Sequence, residues 1–124
     1  MAALDSKTLN IAVVAAAAQG AITGLIYWHQ GLSAWLGLSP SSPPQLAQGS
    51  ELYLAVCWVN TGNADLCGHI DLKVIFPDQS KKVVAATQNQ DLSASPGNGW
   101  IVAFDKVTLS QVGNYQAEIT LSSL

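Results

Sequence analysis

A run of 43 consecutive residues without a charged side chain, from residue 8 to residue 50, constrains this 124-residue chain more than any other feature. Within the run, residues 9–27 contain only three polar interruptions. As an α-helix they would measure about 28 Å at about 1.5 Å per residue, close to the roughly 30 Å hydrocarbon thickness of a bilayer. The sequence therefore predicts a long apolar helix within residues 1–38, which ends before Pro40.

Small side chains recur every four residues along this predicted helix. Ala12, Ala16, Gly20 and Gly24 would form one narrow stripe, in which Gly20 and Gly24 make a GxxxG pair. Such a stripe lets two helix backbones approach closely and gain dispersion contacts. The pattern predicts an assembly face between copies of the chain. The alternative is that these residues are simply common in membrane helices.

Aromatic residues follow the apolar run. Tyr27, Trp28 and Trp35 lie where a membrane helix carries its interfacial aromatic belt, so they predict the boundary of a membrane or of a helical core. A secretory signal peptide is another interpretation, because residues 16–18 have the small side chains of a cleavage site. The apolar run continues well past that site, which favours a segment that is retained.

The pattern changes after a Pro- and Ser-rich linker, residues 39–50, whose composition favours extended and solvated backbone. From residue 51 onward, apolar residues alternate with a period of two, and turn signals such as NTGN and SPGNG separate the runs. Five to seven short strands in about 75 residues are typical of a small antiparallel β-sandwich. The predicted fold is thus α+β in two parts, a long N-terminal helix followed by a β-sandwich over residues 51–124.

Two short motifs resemble parts of immunoglobulin-like domains. Gly113, Tyr115 and Ala117 form a G-x-Y-x-A sequence that resembles the tyrosine corner, in which the Tyr hydroxyl bonds back to the preceding loop. The run WVNTGNADL resembles the strand and turn of cell-adhesion-type immunoglobulin-like modules of bacteria and archaea. The resemblance implies an immunoglobulin-like sandwich with Tyr115 at its corner. Ala117 occupies the position of the antibody-type cysteine, so that disulfide is not expected.

Two cysteines, Cys57 and Cys67, flank the NTGN turn symmetrically. If a hairpin centres on Gly62, the two thiols face each other across adjacent strands, and a disulfide is geometrically allowed. Such a bond would indicate an oxidising, extracytoplasmic compartment. A pair of buried free thiols is the alternative.

Residues for catalysis or metal binding do not form any recognisable constellation in the sequence. Cys67, His69 and Asp71 alternate along one strand, but structural zinc sites usually take paired ligands from two segments, so neither a metal nor a cofactor is predicted. No nucleophile elbow and no Gly-rich phosphate loop occurs. Five Lys, no Arg and a net charge of -3 exclude a basic nucleic-acid groove. We therefore predict a protein that is not an enzyme.

The order of a charge-free helix, a Pro/Ser linker and a β-sandwich resembles that of archaeal type IV-like pilins and archaellum-type filament subunits. This resemblance implies a structural subunit of an extracellular or cell-surface filament, with apolar helices in the core and β-domains in the outer sheath. Its partners would be copies of itself through the N-terminal helix, and the membrane before assembly. The alternative is a single-pass membrane-anchored β-sandwich that serves as an accessory subunit of a membrane complex or as a virion component.

Overall fold

Alternating apolar side chains place this chain in extended strands that pair into two sheets. The computed structural model describes residues 10–14, 19–38 and 44–124, and every regular element in these residues is a β-strand. The strands are β1 (Asn10–Val14), β2 (Gly20–Trp28), β3 (Leu36–Gly37), β4 (Glu51–Asn60), β5 (Leu66–Ile75), β6 (Lys81–Val84), β7 (Asp91–Ala94), β8 (Gly99–Ala103), β9 (Val107–Thr108) and β10 (Gln116–Ser123).

The strands form two five-stranded sheets. Sheet A has the order β1-β10-β5-β6, and β7 also pairs with β5. Sheet B has the order β3-β2-β4-β8, and β9 also pairs with β4. All of these pairings are antiparallel except β1 with β10, which is parallel. The two-sheet β architecture is consistent with an immunoglobulin-like domain.

The prediction of an α+β chain with a long N-terminal apolar α-helix is wrong. Gly20–Trp28 forms β2 in sheet B, and Asn10–Val14 forms β1 in sheet A. Among the residues that the structure describes, no helix has the length and hydropathy needed to cross a membrane. The remainder of the predicted helical run, residues 1–9 and 15–18, lies outside the described residues, as do residues 39–43 of the predicted linker.

The physical reason for the error is that a four-residue period is also a multiple of two. Small side chains at every fourth position share one face of a strand as they share one face of a helix, so the stripe did not distinguish the two structures. β2 also carries β-branched and aromatic residues, which favour strands, and its two glycines disfavour a helix by about 1 kcal/mol each. Pairing of β2 with β4 from Gly20 to Trp28, interrupted only by the register shift between Ile22 and Gly24, then selects the strand.

The core lies between the sheets and is centred on Trp58 of β4, which is 2% exposed. Gly68 of β5 faces its indole ring, and a Cβ at Gly68 would lie 2.8 Å from two ring carbons. Gly20 allows a similar close approach, since a Cβ there would lie 2.8 Å from a methyl carbon of Leu121 and 2.9 Å from one of Leu66. Glycine at these positions lets the two sheets pack closely.

Asn60 organises the connection that carries the chain from sheet B to sheet A. It is 1% exposed, and its side-chain amide donates to the carbonyl oxygens of Ala64 (2.8 Å) and Ala94 (2.9 Å). Its Oδ1 accepts a hydrogen bond of 2.9 Å from the backbone N–H of Gly62. These bonds satisfy a buried polar group and fix the NTGN turn at the same time.

Candidate interaction surface

The outward-facing side of sheet B is built from residues that the alternation leaves out of the core. In β4, Leu54, Val56 and Trp58 point into the sandwich and are buried. The alternate residues, from Tyr53 to Val59, therefore point outward, because successive side chains of a strand lie on opposite faces. They are apolar as well, so β4 is apolar on both faces.

Strands β2 and β8 extend this outward-facing surface on either side of β4. Register places Ile26 of β2 opposite Ala55, and Ile101 of β8 opposite Cys57. Directly opposite residues of an antiparallel pair share a face. We call the resulting surface the apolar face; it comprises Ala21, Gly24, Ile26, Trp28, Tyr53, Ala55, Cys57, Val59, Gly99, Ile101 and Ala103, of which Ala55 is itself buried. None of these residues is charged.

A β-bulge in β2 sets which glycine belongs to this surface. The register with β4 shifts between Ile22 and Gly24, which leaves Thr23 as the extra residue. Gly20 and Ile22 therefore follow the inward phase, and Gly24 follows the outward phase. An added Cβ at Gly24 would meet no atom within 4 Å, which is consistent with an outward position.

Aromatic contacts hold one end of the apolar face in a fixed conformation. The rings of Trp28 and Tyr53 meet edge-on, with centroids 5.6 Å apart and an interplanar angle of 60°. The indole Nε1 of Trp28 donates a 2.9 Å hydrogen bond to the carbonyl oxygen of Leu32. At the other side of the face, Ile101 is 62% exposed. The surface thus combines a fixed aromatic pair with an exposed aliphatic side chain.

Charged residues occur only at the margin of this surface. Glu51 has the same strand phase as Tyr53 but lies at the start of β4, where its carboxylate is 2.6 Å from the ammonium of Lys106. The hydrogen bond from Lys106 to Glu51 raises the pKa of the Lys106 ammonium, and the attraction of the two charges adds to it. A polar rim around an uncharged centre is the usual anatomy of a protein–protein interface, and this ion pair occupies one point of the margin.

The outward-facing side of sheet A has the opposite character. We call it the charged face; its residues are Cys67, His69, Asp71, Lys73, Ile75, Lys81, Val83, Asp91, Ser93, Gln116, Glu118, Thr120 and Ser122. Lys73 is directly opposite Glu118, and His69 is directly opposite Asp91. The charged face therefore carries both signs of charge, interspersed across four strands.

His69 lies between two carboxylates of the charged face. Its Nδ1 contacts Oδ1 of Asp91, and its Nε2 is 3.0 Å from Oδ1 of Asp71. The hydrogen bond with Asp91 raises the pKa of His69 most, partial burial opposes it, and Asp71 raises the pKa further. In the described part of the chain, no three His, Cys, Asp or Glu side chains are arranged to hold a metal ion.

A cleft of about 770 Å³ opens at the end of the sandwich where β4 begins and β10 begins. Its walls include Leu46, Leu52, Leu109 and Tyr115, and none of its lining residues is charged. Leu38 and Pro44 also line it, and they flank residues 39–43, which lie outside the described residues. We therefore assign no site to this cleft.

Tyr115 makes the hydrogen bonds that its resemblance to a tyrosine corner implies. Its hydroxyl accepts a 2.9 Å bond from the backbone N–H of Gln111 and donates a 3.0 Å bond to the carbonyl oxygen of the same residue. Its ring meets Phe76 edge-on at 5.0 Å. Tyr115 thereby ties the start of β10 to the preceding loop.

Cys57 and Cys67 are both free thiols and are half-buried. The hairpin that would have set them opposite each other is not formed, because β4 belongs to sheet B and β5 to sheet A. Register instead places Cys57 on the apolar face and Cys67 on the charged face. Burial raises the pKa of the Cys57 thiol.

The residues predicted to form an assembly face and an interface belt are separated by the fold. Gly24 and Trp28 lie on the apolar face, whereas Gly20 and Tyr27 point inward. Trp35 is exposed in the loop before β3. Ala12 lies in β1, and Ala16 lies outside the described residues.

The apolar face and the His69 cluster were both missed by the interpretation of the sequence. One signal for the apolar face was present, because no charge occurs between Glu51 and Asp65 and both phases of β4 are apolar. The part of the apolar face that lies in β2 gave no such signal, because the sequence of β2 was interpreted as a helix. Asp91 could not be assigned to His69, because their proximity depends on the pairing of β7 with β5.

Comparison with known proteins gave no match to this chain, either among protein-family models or among curated proteins.

Proposed function

We propose that this chain is a non-enzymatic structural subunit of an extracellular or cell-surface assembly, in which copies associate through the apolar face. The observation that supports this proposal is the distribution of charge. The apolar face has no charged residue, while the opposite face of the same sandwich carries Lys, Asp and Glu. Contiguous apolar surface of this kind on a globular domain marks a contact site.

A second copy of the chain is the partner that suits this surface best. In a two-fold contact the same patch meets itself, so any charge near the axis would face an identical charge. A face without charges avoids this repulsion, and two flat sheets can pack at about 10 Å separation. The margin pair of Glu51 and Lys106 would remain at the rim of such a contact.

The size of the face indicates a weak contact that acts in combination with others. Three strands of up to nine or ten residues cover roughly 400 Å² of sheet, at about 4.8 Å between strands and 3.3 Å per residue. A two-fold contact would then bury roughly 800 Å² in total, which is less than the about 1,200–2,000 Å² of stable interfaces. We therefore expect weak pairwise association, in roughly the high-micromolar range, that becomes effective in an assembly with more than one contact.

The location outside the cell is supported by the motifs of the β4–β5 connection. The WVNTGNADL run, which resembles cell-adhesion-type immunoglobulin-like modules, forms the end of β4, the Asn60 turn and the start of β5. Tyr115 adds the tyrosine-corner hydrogen bonds. A structural subunit of this type needs a rigid sandwich and a contact surface rather than a catalytic centre.

A matched pair of substitutions tests this function. Ile101 on the apolar face is 62% exposed and Val83 on the charged face is 67% exposed, so Ile101→Lys and Val83→Lys add the same charge at equally accessible strand positions. Sedimentation equilibrium of the full chain over a wide concentration range measures self-association. We expect Ile101→Lys to weaken it at least about tenfold, because the contact would bury an unpaired charge, and Val83→Lys to leave it unchanged.

Two results would overturn the proposal. One is a native chain that stays monomeric at the highest concentration studied. The other is an equal loss of association in both variants, which would assign the effect to net charge. Far-UV circular dichroism and thermal unfolding of both variants check that the sandwich is intact.

A further inference from the structure

β1 adds a strand to sheet A from the opposite end of the chain. Its five residues run parallel to β10 in a continuous register, from Asn10 opposite Glu118 to Val14 opposite Ser122. Among the described residues, β1 pairs with no other strand. Its place in the sheet therefore depends on this single ladder of hydrogen bonds.

The register of β1 matches the core positions of β10. Ile11 is opposite Ile119, and Val13 is opposite Leu121. Ile119 and Leu121 are both buried in the core. Two of the four apolar residues of the segment thus lie opposite core positions of the edge that receives it, whereas Ala12 and Val14 lie opposite Thr120 and Ser122. The same match exists for a segment of the same sequence from another copy.

The two edges of sheet A differ in how well they resist strand addition. The edge strand β6 begins with Lys81 and Lys82, both exposed, and lysine on an edge strand disfavours pairing with another chain. β10 contains neither Lys nor Pro. The side of β10 that β1 occupies therefore has the composition of an edge that accepts a strand.

We propose that β10 accepts Asn10–Val14 of a second copy, so that neighbouring copies exchange β1. The ladder formed between two copies has the same hydrogen bonds as the ladder within one. The equilibrium between β1 on its own sheet and β1 on a second copy is then set by two quantities. These are the effective concentration of the chain's own segment and the concentration of other copies. Main-chain bonds give affinity in such strand addition, and the alternate side chains give specificity.

Donation from one copy to the next is a head-to-tail contact that does not close on itself unless the rotation between copies closes a ring. Repetition of this contact builds a filament. The exchange uses the edge of sheet A, whereas the apolar face belongs to sheet B, so this inference does not rest on the proposed function. Together the two contacts would give each subunit more than one neighbour.

Disulfide trapping in the full chain tests the exchange. Register places Ala12 opposite Thr120, and neighbouring strands are about 4.8 Å apart, a separation that a disulfide spans. All chains carry Cys57→Ala and Cys67→Ala to remove the native thiols, and Ile101→Lys to remove the apolar-face contact. An Ala12→Cys chain and a Thr120→Cys chain are refolded together and oxidised. We expect a disulfide-linked heterodimer on a non-reducing gel, with a yield that rises with protein concentration.

Two controls make every outcome decisive. Val83→Cys places the acceptor thiol on β6 at the other edge, and it should give at least about tenfold less cross-linked dimer with the Ala12→Cys chain. A single chain with both Ala12→Cys and Thr120→Cys tests whether β1 stays on its own sheet. Cross-linking only within that chain, absence of cross-linking in all chains, or equal cross-linking of the Val83→Cys acceptor would each overturn the exchange. None of these results bears on the apolar face, which the comparison of Ile101→Lys with Val83→Lys tests separately.

Discussion

The outer faces of the two sheets have opposite chemistry although both sheets contribute the same kind of residue to the core. On sheet A the outward positions carry Lys73 opposite Glu118 and His69 between two carboxylates. The apolar face of sheet B carries Ile26, Ile101 and an aromatic pair, and its charged neighbour Glu51 lies at the start of β4. Only the inward positions are constrained by the core, so the outward positions of the two sheets are free to differ in charge.

The charged face has the composition of a solvent-facing surface, and the apolar face is the one that we propose contacts a second copy. Interspersed charges of both signs keep a surface soluble and disfavour self-association. A sheet face without charge lacks that protection and costs free energy while it faces water. The difference between the faces can therefore be tested by substitutions at three kinds of position. These are the connection between the two sheets, a pair of glycines on an inner and an outer side, and the charged face alone.

The largest effect is expected where the two sheets are joined. Asn60→Ala removes a buried amide and leaves the carbonyl oxygens of Ala64 and Ala94 without their donor. Because each buried unsatisfied group costs about 1–3 kcal/mol, we expect a loss of roughly 2–4 kcal/mol in unfolding free energy. Urea unfolding followed by tryptophan fluorescence measures it. A change below about 0.5 kcal/mol would show that the two faces do not depend on this connection.

Two glycine substitutions compare a position on the inner side of sheet A with a position on the outer side of sheet B. Gly68→Ala places a Cβ 2.8 Å from the ring of Trp58, and we expect a destabilisation of about 1–3 kcal/mol from overpacking. Gly24→Ala on the apolar face meets nothing within 4 Å, and we expect a change within about 0.5 kcal/mol. Differential scanning calorimetry of both variants measures the contrast. Equal shifts in Tm would contradict the assignment of Gly24 to the outer face.

The smallest effect is expected on the charged face and depends on pH. The hydrogen bond with Asp91 raises the pKa of His69 in the folded protein, so the folded protein binds the proton more tightly than the unfolded chain does. This stabilisation is fully present below the unfolded-state pKa of about 6.5 and is lost as pH rises through the folded-state pKa. His69→Gln should therefore lower the unfolding free energy more at about pH 5.5 than at about pH 8.

Denaturant titrations of the native chain, His69→Gln and Asp91→Asn at these two pH values check the prediction. Asp91→Asn should show the same pH dependence, because it removes the largest contribution to the raised pKa. A loss that is identical at both pH values would mean that His69 acts only by packing.

The strands after residue 51 were largely accessible to sequence reasoning because local alternation specifies them. The alternation in residues 51–60 predicts one strand face with Leu52, Leu54, Val56 and Trp58; the last three are buried and Leu52 is half-buried. The apolar alternation of residues 100–104 slips near Asp105 and Lys106, and this slip falls between β8 and β9, which both pair with β4. Period-two alternation is a property of neighbouring residues, so no tertiary information was needed.

The N-terminal part was not accessible in the same way. Residues 20–28 carry a sequence that is apolar except for Thr23, which is compatible with a buried helix or with a strand that is apolar on both faces. Only the pairing partner decides between helix and strand, and that partner is β4, which lies more than twenty residues further along the chain. The bulge at Thr23 also depends on this pairing, and it moves Gly24 out of the phase of Gly20.

The sequence by itself determined the absence of charge over residues 8–50, the alternation after residue 51 and the turn at Asn60, because each is a property of composition or of adjacent residues. The tertiary structure alone decided that residues 10–14, 20–28 and 36–37 of the uncharged segment pair as strands, that Cys57 and Cys67 lie in different sheets, and that His69 meets Asp91. These features join residues that are distant along the chain. Their proximity depends on sheet topology and register, which local alternation does not encode.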